Sequence, residues 1–233
     1  MVRIDINNRN LWYLCELAGE KIYVNQTMLA TWVVMGALII FAVVVRIMIG
    51  LGKFTDVPKG FQNFLETAVE MMENLTKNNM GERFGYFSAY FFFLFAFILV
   101  SNYSGMFGLR PPTTDLATTA ALGITTLAIM TVMGIKCQKG AYFKEYLKPF
   151  FLFLPMNIIG ELAKAVSLSF RLFGNLLGGL IIIELIYSML PIFVTIVIPS
   201  FVHAFFDVFF GGLQAFVFTM LSMTFIKLKT VED

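Results

Sequence analysis

Between Phe150 and Leu228 the sequence is apolar over a length that crosses a bilayer more than once, yet it carries Glu161, Lys164 and Arg171 inside it. A guanidinium keeps its proton at any ordinary pH. Estimates for a charge at the bilayer centre run from roughly 2.5 to more than 10 kcal/mol, so such an Arg is read first as functional. At about 100° per residue, Lys164, Ser167, Arg171, Asn175 and Gly178 fall within roughly 60° of one another on a helix. Lipid does not tolerate that stripe, so it is expected to face protein or water. Gly174, Gly178 and Gly179 thin the helix near the Arg and let another helix approach. The plain alternative is an Arg171 that pairs with a structural carboxylate.

A second stripe lies further on. His203, Asp207, Gly211, Gln214 and Phe218 fall within roughly 80° on a helical wheel. Packed against the first stripe, it is expected to bring Gln214 and Asn175 near Arg171, with His203 and Asp207 toward the outside. Glu184 lies on a different face and also nearer the outside. Glu161 and Lys164 stand roughly 10–15 Å along the axis in the opposite direction, toward the cytoplasm. Simpler readings stand beside these: His203 as a satisfied bundle histidine, Lys164 paired with Glu161 or bound to lipid headgroups, and Ser167 as a packing residue. None of these groups comes with the company that bond-making chemistry needs. There is no GxSxG, HExxH or phosphate-binding loop, and His203 to Asp207 matches only a loose HxxxD pattern. One His and two widely separated Cys make a metal site unexpected.

The elements that position these residues follow from composition. With 233 residues, 58% hydrophobic and 14% charged, and a mean hydropathy of +0.80, the chain reads as an all-α polytopic membrane protein in one membrane-embedded domain, residues 1–233. Residues 1–27 are polar, mixed in charge and free of a cleavable signal pattern, and form an external segment. Residues 28–50 make the first span. Residues 57–80 form an amphipathic helix at the interface, opened by Asp56 and Pro58, with an acidic exposed side. Residues 84–107 and 113–135 are further spans, the second rich in Thr, Ala and Gly and suited to close helix packing. Asp115 is expected at its mouth as a cap or interfacial charge. Residues 149–189 and 191–228 are two long helices, divided at Ser188–Met189–Leu190–Pro191. At about 57 Å each they are nearly twice the roughly 30 Å hydrocarbon core, so they either tilt or break into shorter pieces.

Positive residues set the orientation. Five crossings with the amino terminus outside place Arg46, Lys53, Lys59, Lys77, Arg83, the cluster from Lys136 to Lys148, Lys227 and Lys229 on the inside. The outside keeps Arg3, Arg9, Lys21 and Arg110. The carboxyl terminus is then cytoplasmic. Cys15 and Cys137 fall on opposite sides, which excludes a disulfide between them.

SLSFRLFGN, from Ser167 to Asn175, together with LQAF, from Leu213 to Phe216, resembles the signature of subunit a of F-type ATP synthases. The hydropathy layout resembles that family across the chain, and the motifs concentrate in the last third. The RLFGN form is similar to bacterial and chloroplast members, not mitochondrial ones, and implies a bacterial plasma membrane. The resemblance implies that the last two helices are strongly inclined and wrap around a ring of rotor subunits. It also implies partners: c-ring rotor subunits, a b-type peripheral stalk and the rest of the F1Fo complex, in a lipid bilayer and without nucleic acid. By motif, Arg171 is the essential stator charge, Asn175 its neighbour and Gln214 the helix-facing Gln. Asp207 stands where relatives carry His or Glu. Leu180 occupies a position where relatives often place Glu or His, and Glu184, one turn later, is a candidate replacement. Ala165 stands where many relatives have Pro, which should straighten the helix locally.

What this implies is a subunit that is not itself an enzyme and needs no cofactor. Polar groups flank a fixed cation, which repels a proton or sodium ion and divides the file into two aqueous half-channels. Ions pass to and from c-ring carboxylates, so that ion flow drives rotation and ATP synthesis. Glu184, Asp207, His203, Glu161, Lys164 and Ser167 are the half-channel candidates. The alternative is a stand-alone channel or secondary transporter, which would bind substrate at midplane between internal repeats. No convincing repeat is found, and the polar residues sit in the last third.

Overall fold

The computed structural model describes residues 10–17, 20–51, 60–107, 109–139, 142, 147, 150–189, 202 and 204–230. Among them, five helices are long and apolar enough to cross a membrane. The membrane-spanning part is all-α and polytopic, as its composition requires: in lipid each backbone group has to be satisfied within its own segment. A two-stranded antiparallel hairpin, β1 (Asn10–Leu17) and β2 (Glu20–Asn25), precedes the first span. The polar, mixed-charge stretch 1–27 gave no sign of it, because its apolar residues do not alternate over enough length.

The first helix, α1, runs Gln26–Gly50. It is apolar all round, and its buried residues are Thr27, Ala30 and Val34, one face of its amino-terminal end. Its exposed Ile, Val and Phe side chains suit lipid. Next comes α2, Phe61–Met80, bracketed by Gly60 at φ +58° and Gly81 at φ +94°, conformations in which a Cβ is strained. It starts at Phe61, and the expected opening residues Asp56 and Pro58 lie outside the described residues. Met72, Thr76 and Met80 form its buried face, while Glu73 and Lys77 pair at 2.7 Å.

The second span is Glu82–Phe107; its α-helical part is α3, Ser88–Tyr103, with a 3-10 turn at each end. The Thr-rich helix α4 spans Leu116–Gln138 and buries Thr119, Gly123, Thr126, Met130, Met133 and Gly134 along one side. The long helix α5, Leu154–Met189, holds 36 residues without interruption and passes straight through Ala165. Residues 190–201, with Pro191 and Pro199, lie outside the described residues. A π-helical segment, Ala204–Phe210, then leads into α6, Gly211–Leu228.

The chain forms two compact units. One comprises residues 1–55, 97–115 and 174–213: the hairpin, α1, the end of α3, the second half of α5 and the π-helical segment. In it Thr27 Oγ1 donates to Asp115 Oδ2 at 2.9 Å, so the carboxylate expected at the mouth of α4 tethers the start of α1. The other comprises residues 56–96, 116–173 and 214–233: α2, most of α3, α4, the first half of α5 and most of α6. There the Thr126 and Ser222 hydroxyls meet at 3.3 Å, and Asn79 Nδ2 lies 3.7 Å from the Met220 sulfur.

Candidate functional site

The direction of the Arg171 stripe is set by what α5 buries. Glu161, Ala165, Leu168, Ser169, Leu172, Leu176, Gly179 and Ile183 are buried, a series at helical spacing. Ser167, Phe170, Arg171, Gly174 and Asn175 are exposed. Lys164 and Gly178 are half-buried at the edges of that face. Among the described residues, Ser167, Arg171 and Asn175 of the stripe thus lie opposite the buried face of α5. Gly174 and Gly178 have open space where a Cβ would stand, so the surface beside the guanidinium is recessed.

One contact explains why α5 takes this rotation in the second unit. A Cβ on Gly123 of α4 would collide with Ser169 Oγ and lie 2.8 Å from the Ala165 carbonyl oxygen. The missing side chain lets α5 press its Ala165–Ser169 edge onto α4. Ser169 spends its own hydroxyl locally, donating to the Ala165 carbonyl at 2.9 Å. Two residues later, on the far side, Arg171 is left outward.

Arg171 lies at the midpoint of α5. Among the described residues no carboxylate pairs with it. Gln214, in the first turn of α6, is buried (3% exposed) inside the same unit whose surface bears Arg171. Arg171, on α5 in that unit, is exposed.

Glu161 meets a partner that its neighbourhood in sequence does not suggest. Its Oε1 stands 2.7 Å from the Lys229 Nζ, with the two side chains 11% and 9% exposed. The same ammonium lies 5.6 Å from the centre of the Tyr142 ring. Gly134 makes room for that ring, since a Cβ there would meet Tyr142 at 2.5 Å. Lys164, for which pairing with Glu161 was one of the simpler readings, holds its ammonium 5.9 Å from the Phe225 ring centre. Both amines keep a hydrophobic stem against apolar surface and a positive head over an aromatic face.

In the first unit Asp207 is buried (9% exposed) within the π-helical segment. An i→i+5 turn is wider than an α turn, so the wheel that grouped His203 to Phe218 does not apply unchanged across 204–210. Asp207, Gly211, Gln214 and Phe218 are nevertheless all buried. The side chain of Glu184 and all of His203 lie outside the described residues.

Sequence reasoning missed Lys229, Gly123 and Asn102. Lys229 was visible only as one more positive residue near the carboxyl terminus. Gly123 was one small residue in a Thr, Ala and Gly run, and its particular contact has no sequence signal. Asn102 is one polar residue at the end of α3, after an aromatic block, and nothing in its spacing marks it.

Comparison with known proteins adds two findings. A family model described as ATP synthase A chain matches residues 28–227. The chain is 32% identical to ATP synthase subunit a, chloroplastic, of Stigeoclonium helveticum over 233 residues, covering 95% of this chain and 90% of that protein.

Proposed function

The chain belongs to the ATP synthase A chain family, and from that premise we propose that it forms the stator side of the ion path, with two offset aqueous half-channels kept apart by Arg171. As a member of the family it is a membrane subunit of the ATP synthase complex. One observation carries the finer reading. At the midpoint of an apolar helix, a group that cannot lose its proton is exposed and has no carboxylate partner among the described residues. Inside a membrane such a cation is tolerable only when water or another chain meets it.

The partner that fits is a c-ring rotor subunit bearing a carboxylate. A fixed guanidinium attracts that carboxylate in its ionised form and so favours release of its ion. It also repels a free cation, which keeps ions from running through from one half-channel to the other. Each ion then has to board the rotor, travel around, and leave on the far side. The recessed surface at Gly174 and Gly178 gives a rotor helix room to approach. An α5 of about 54 Å, at 1.5 Å per residue, exceeds the roughly 30 Å core, so it lies inclined along the ring.

Asn175 and Gln214 flank the barrier. Asp207, His203 and Glu184 serve the outer half-channel, and Ser167 and Lys164 the inner one. Glu161, held by Lys229, acts there as a fixed charge pair. One ion falling through 100 mV releases about 2.3 kcal/mol, and several together supply an ATP made on other subunits. The remaining assignments are a b-type peripheral stalk as static partner, a bacterial plasma membrane, an amino terminus outside and a carboxyl terminus in the cytoplasm. Protons or sodium ions suit this path equally, because selectivity belongs to the rotor site.

The test is ion-driven ATP synthesis by the whole complex in proteoliposomes, comparing wild type with Arg171→Ala. Coupled synthesis is expected to vanish while ATP hydrolysis survives once the membrane sector is detached. A rise in passive ion leak would report the barrier role separately. Full coupling in the variant would overturn the reading.

A further inference from the structure

In the first unit, consecutive residues at the end of α3 take hold of two carbonyls around Asp207. Asn102 Nδ2 donates to the Gly211 carbonyl at 2.8 Å, and Tyr103 Oη donates to the Val208 carbonyl at 3.3 Å. Val208 is the residue after Asp207 and lies in the π-helical segment; Gly211 is the first residue of α6. Asn102 is fully buried, and its other end is used as well, since Oδ1 accepts from Thr113 Oγ1 at 2.8 Å. Thr113 is itself fully buried in the short turn Pro112–Thr114. The glycines opposite are fitted to this grip. A Cβ on Gly211 would stand 3.2 Å from Asn102 Cβ, and one on Gly212 would stand 3.0 Å from Tyr103 Oη.

A π-helical segment is rare and recurs at functional sites, because its wider turn shifts the register of whatever follows. It costs good α geometry and needs outside support to persist. Here the support comes from an amide whose donor and acceptor ends are both fixed, so Asn102 has a single orientation. We propose that Asn102, backed by Thr113, is a positioning residue that holds the π-helical segment and thereby sets where the Asp207 carboxyl stands in the ion path. This rests on the reading of Asp207 as an ion-path residue. Asn102 acts through Gly211 and the backbone, and never touches the ion.

The experiment uses the whole complex in proteoliposomes and reads ion-driven ATP synthesis, with subunit content and detached-sector ATP hydrolysis as controls of assembly. Asn102→Leu removes both hydrogen bonds while keeping the branching and number of side-chain heavy atoms, and is expected to lower synthesis about tenfold, less than the roughly hundredfold of a 1 Å misplacement. Asn102→Asp is expected to restore most of it. A buried carboxyl is favoured in its neutral form, which can donate to Gly211 and accept from Thr113. In an Asp207→Asn background, adding Asn102→Leu is expected to cause no further loss, because the group being positioned is already gone. Losses that multiply in the double variant, an Asn102→Asp no better than Asn102→Leu, or a fully active Asn102→Leu would each overturn the proposal. If Asn102→Leu fails to assemble, Thr113→Val makes the same comparison, since it withdraws one donor and leaves Asn102 in place. Full coupling in Asp207→Asn alone is a separate failure, one that removes Asp207 from the path altogether.

Discussion

Two charges ten residues apart on α5 receive opposite treatment. Glu161 is buried and meets Lys229 at 2.7 Å, with an aromatic ring beside the ammonium. Arg171 is exposed, and among the described residues no carboxylate comes to it. The first charge is balanced inside the chain and belongs to the fold. The second has no carboxylate partner among the described residues, and on the function proposed above its counter-charge comes from another chain. A charge in an apolar span therefore does not announce its role by its cost alone; what distinguishes the two is where the counter-charge resides.

The largest effect that can break this contrast is on coupling. Arg171→Gln should abolish ion-driven ATP synthesis, yet leave complex assembly and thermal stability close to wild type, because an exposed side chain gives up little packing. Loss of assembly with this variant would mean that Arg171 is a structural charge after all. Glu161→Gln should do the reverse in kind. It strands a buried ammonium, which typically costs about 3–5 kcal/mol when one partner of a buried pair is removed. The readout is the melting temperature of the purified complex, and a value unchanged from wild type would erase the distinction. Replacing both partners, Glu161→Leu with Lys229→Met, should recover most of that stability, since apolar substitutes remove two desolvation penalties at once.

A smaller effect sharpens the geometry. Gly123→Ala inserts a methyl where Ser169 and Ala165 already press, an overpacking that typically costs about 1–3 kcal/mol. Relief requires α5 to move or rotate, so coupling should fall together with the melting temperature. Gly123→Ala in combination with Ser169→Ala should regain part of both, because the hydroxyl nearest the new methyl is gone. Failure of that pair to differ from Gly123→Ala alone would show that the helix contact does not set the rotation of the Arg face.

The smallest effect concerns an ion pair in solvent. The Lys77 amine is held above its ordinary pKa, first by its hydrogen bond to Glu73 and then by the charge of that carboxylate. The stabilisation this brings is fully present below the ordinary lysine pKa and is lost as pH rises through the elevated value in the folded protein. Exposed pairs of this kind contribute little. Glu73→Gln should therefore leave the melting temperature at neutral pH almost unchanged and slightly flatten its fall in alkali. A pronounced loss at neutral pH would place the Glu73–Lys77 pair with Glu161 and Lys229, among the charges on which the fold depends.

Much of the architecture was legible from one dimension. Runs of apolar residues of sufficient length give the five candidate spans found among the described residues, because solvation by lipid is a property of each segment taken alone. The Thr, Ala and Gly run of α4 announced close packing, and the face at Gly123 makes it. The outward stripe of α5 was readable as a stripe, since period 3.6 groups Lys164 to Gly178 whatever lies around them. Its direction was not readable. The wheel says which residues share a face and is silent on whether that face meets the chain's own helices or another molecule.

What the sequence determined on its own is the apolar spans seen among the described residues, the midpoint placement of Arg171 and the grouping of polar residues, all consequences of local solvation and helical period. What only the tertiary structure decided is pairing across long separations. Glu161 found Lys229 and not Lys164, Asn102 found Gly211, and Gly123 found Ser169. Each of those outcomes depends on how two helices distant in the chain are rotated against each other. That rotation comes from the summed fit of many side chains and from the absence of one, and no spacing along the chain records it.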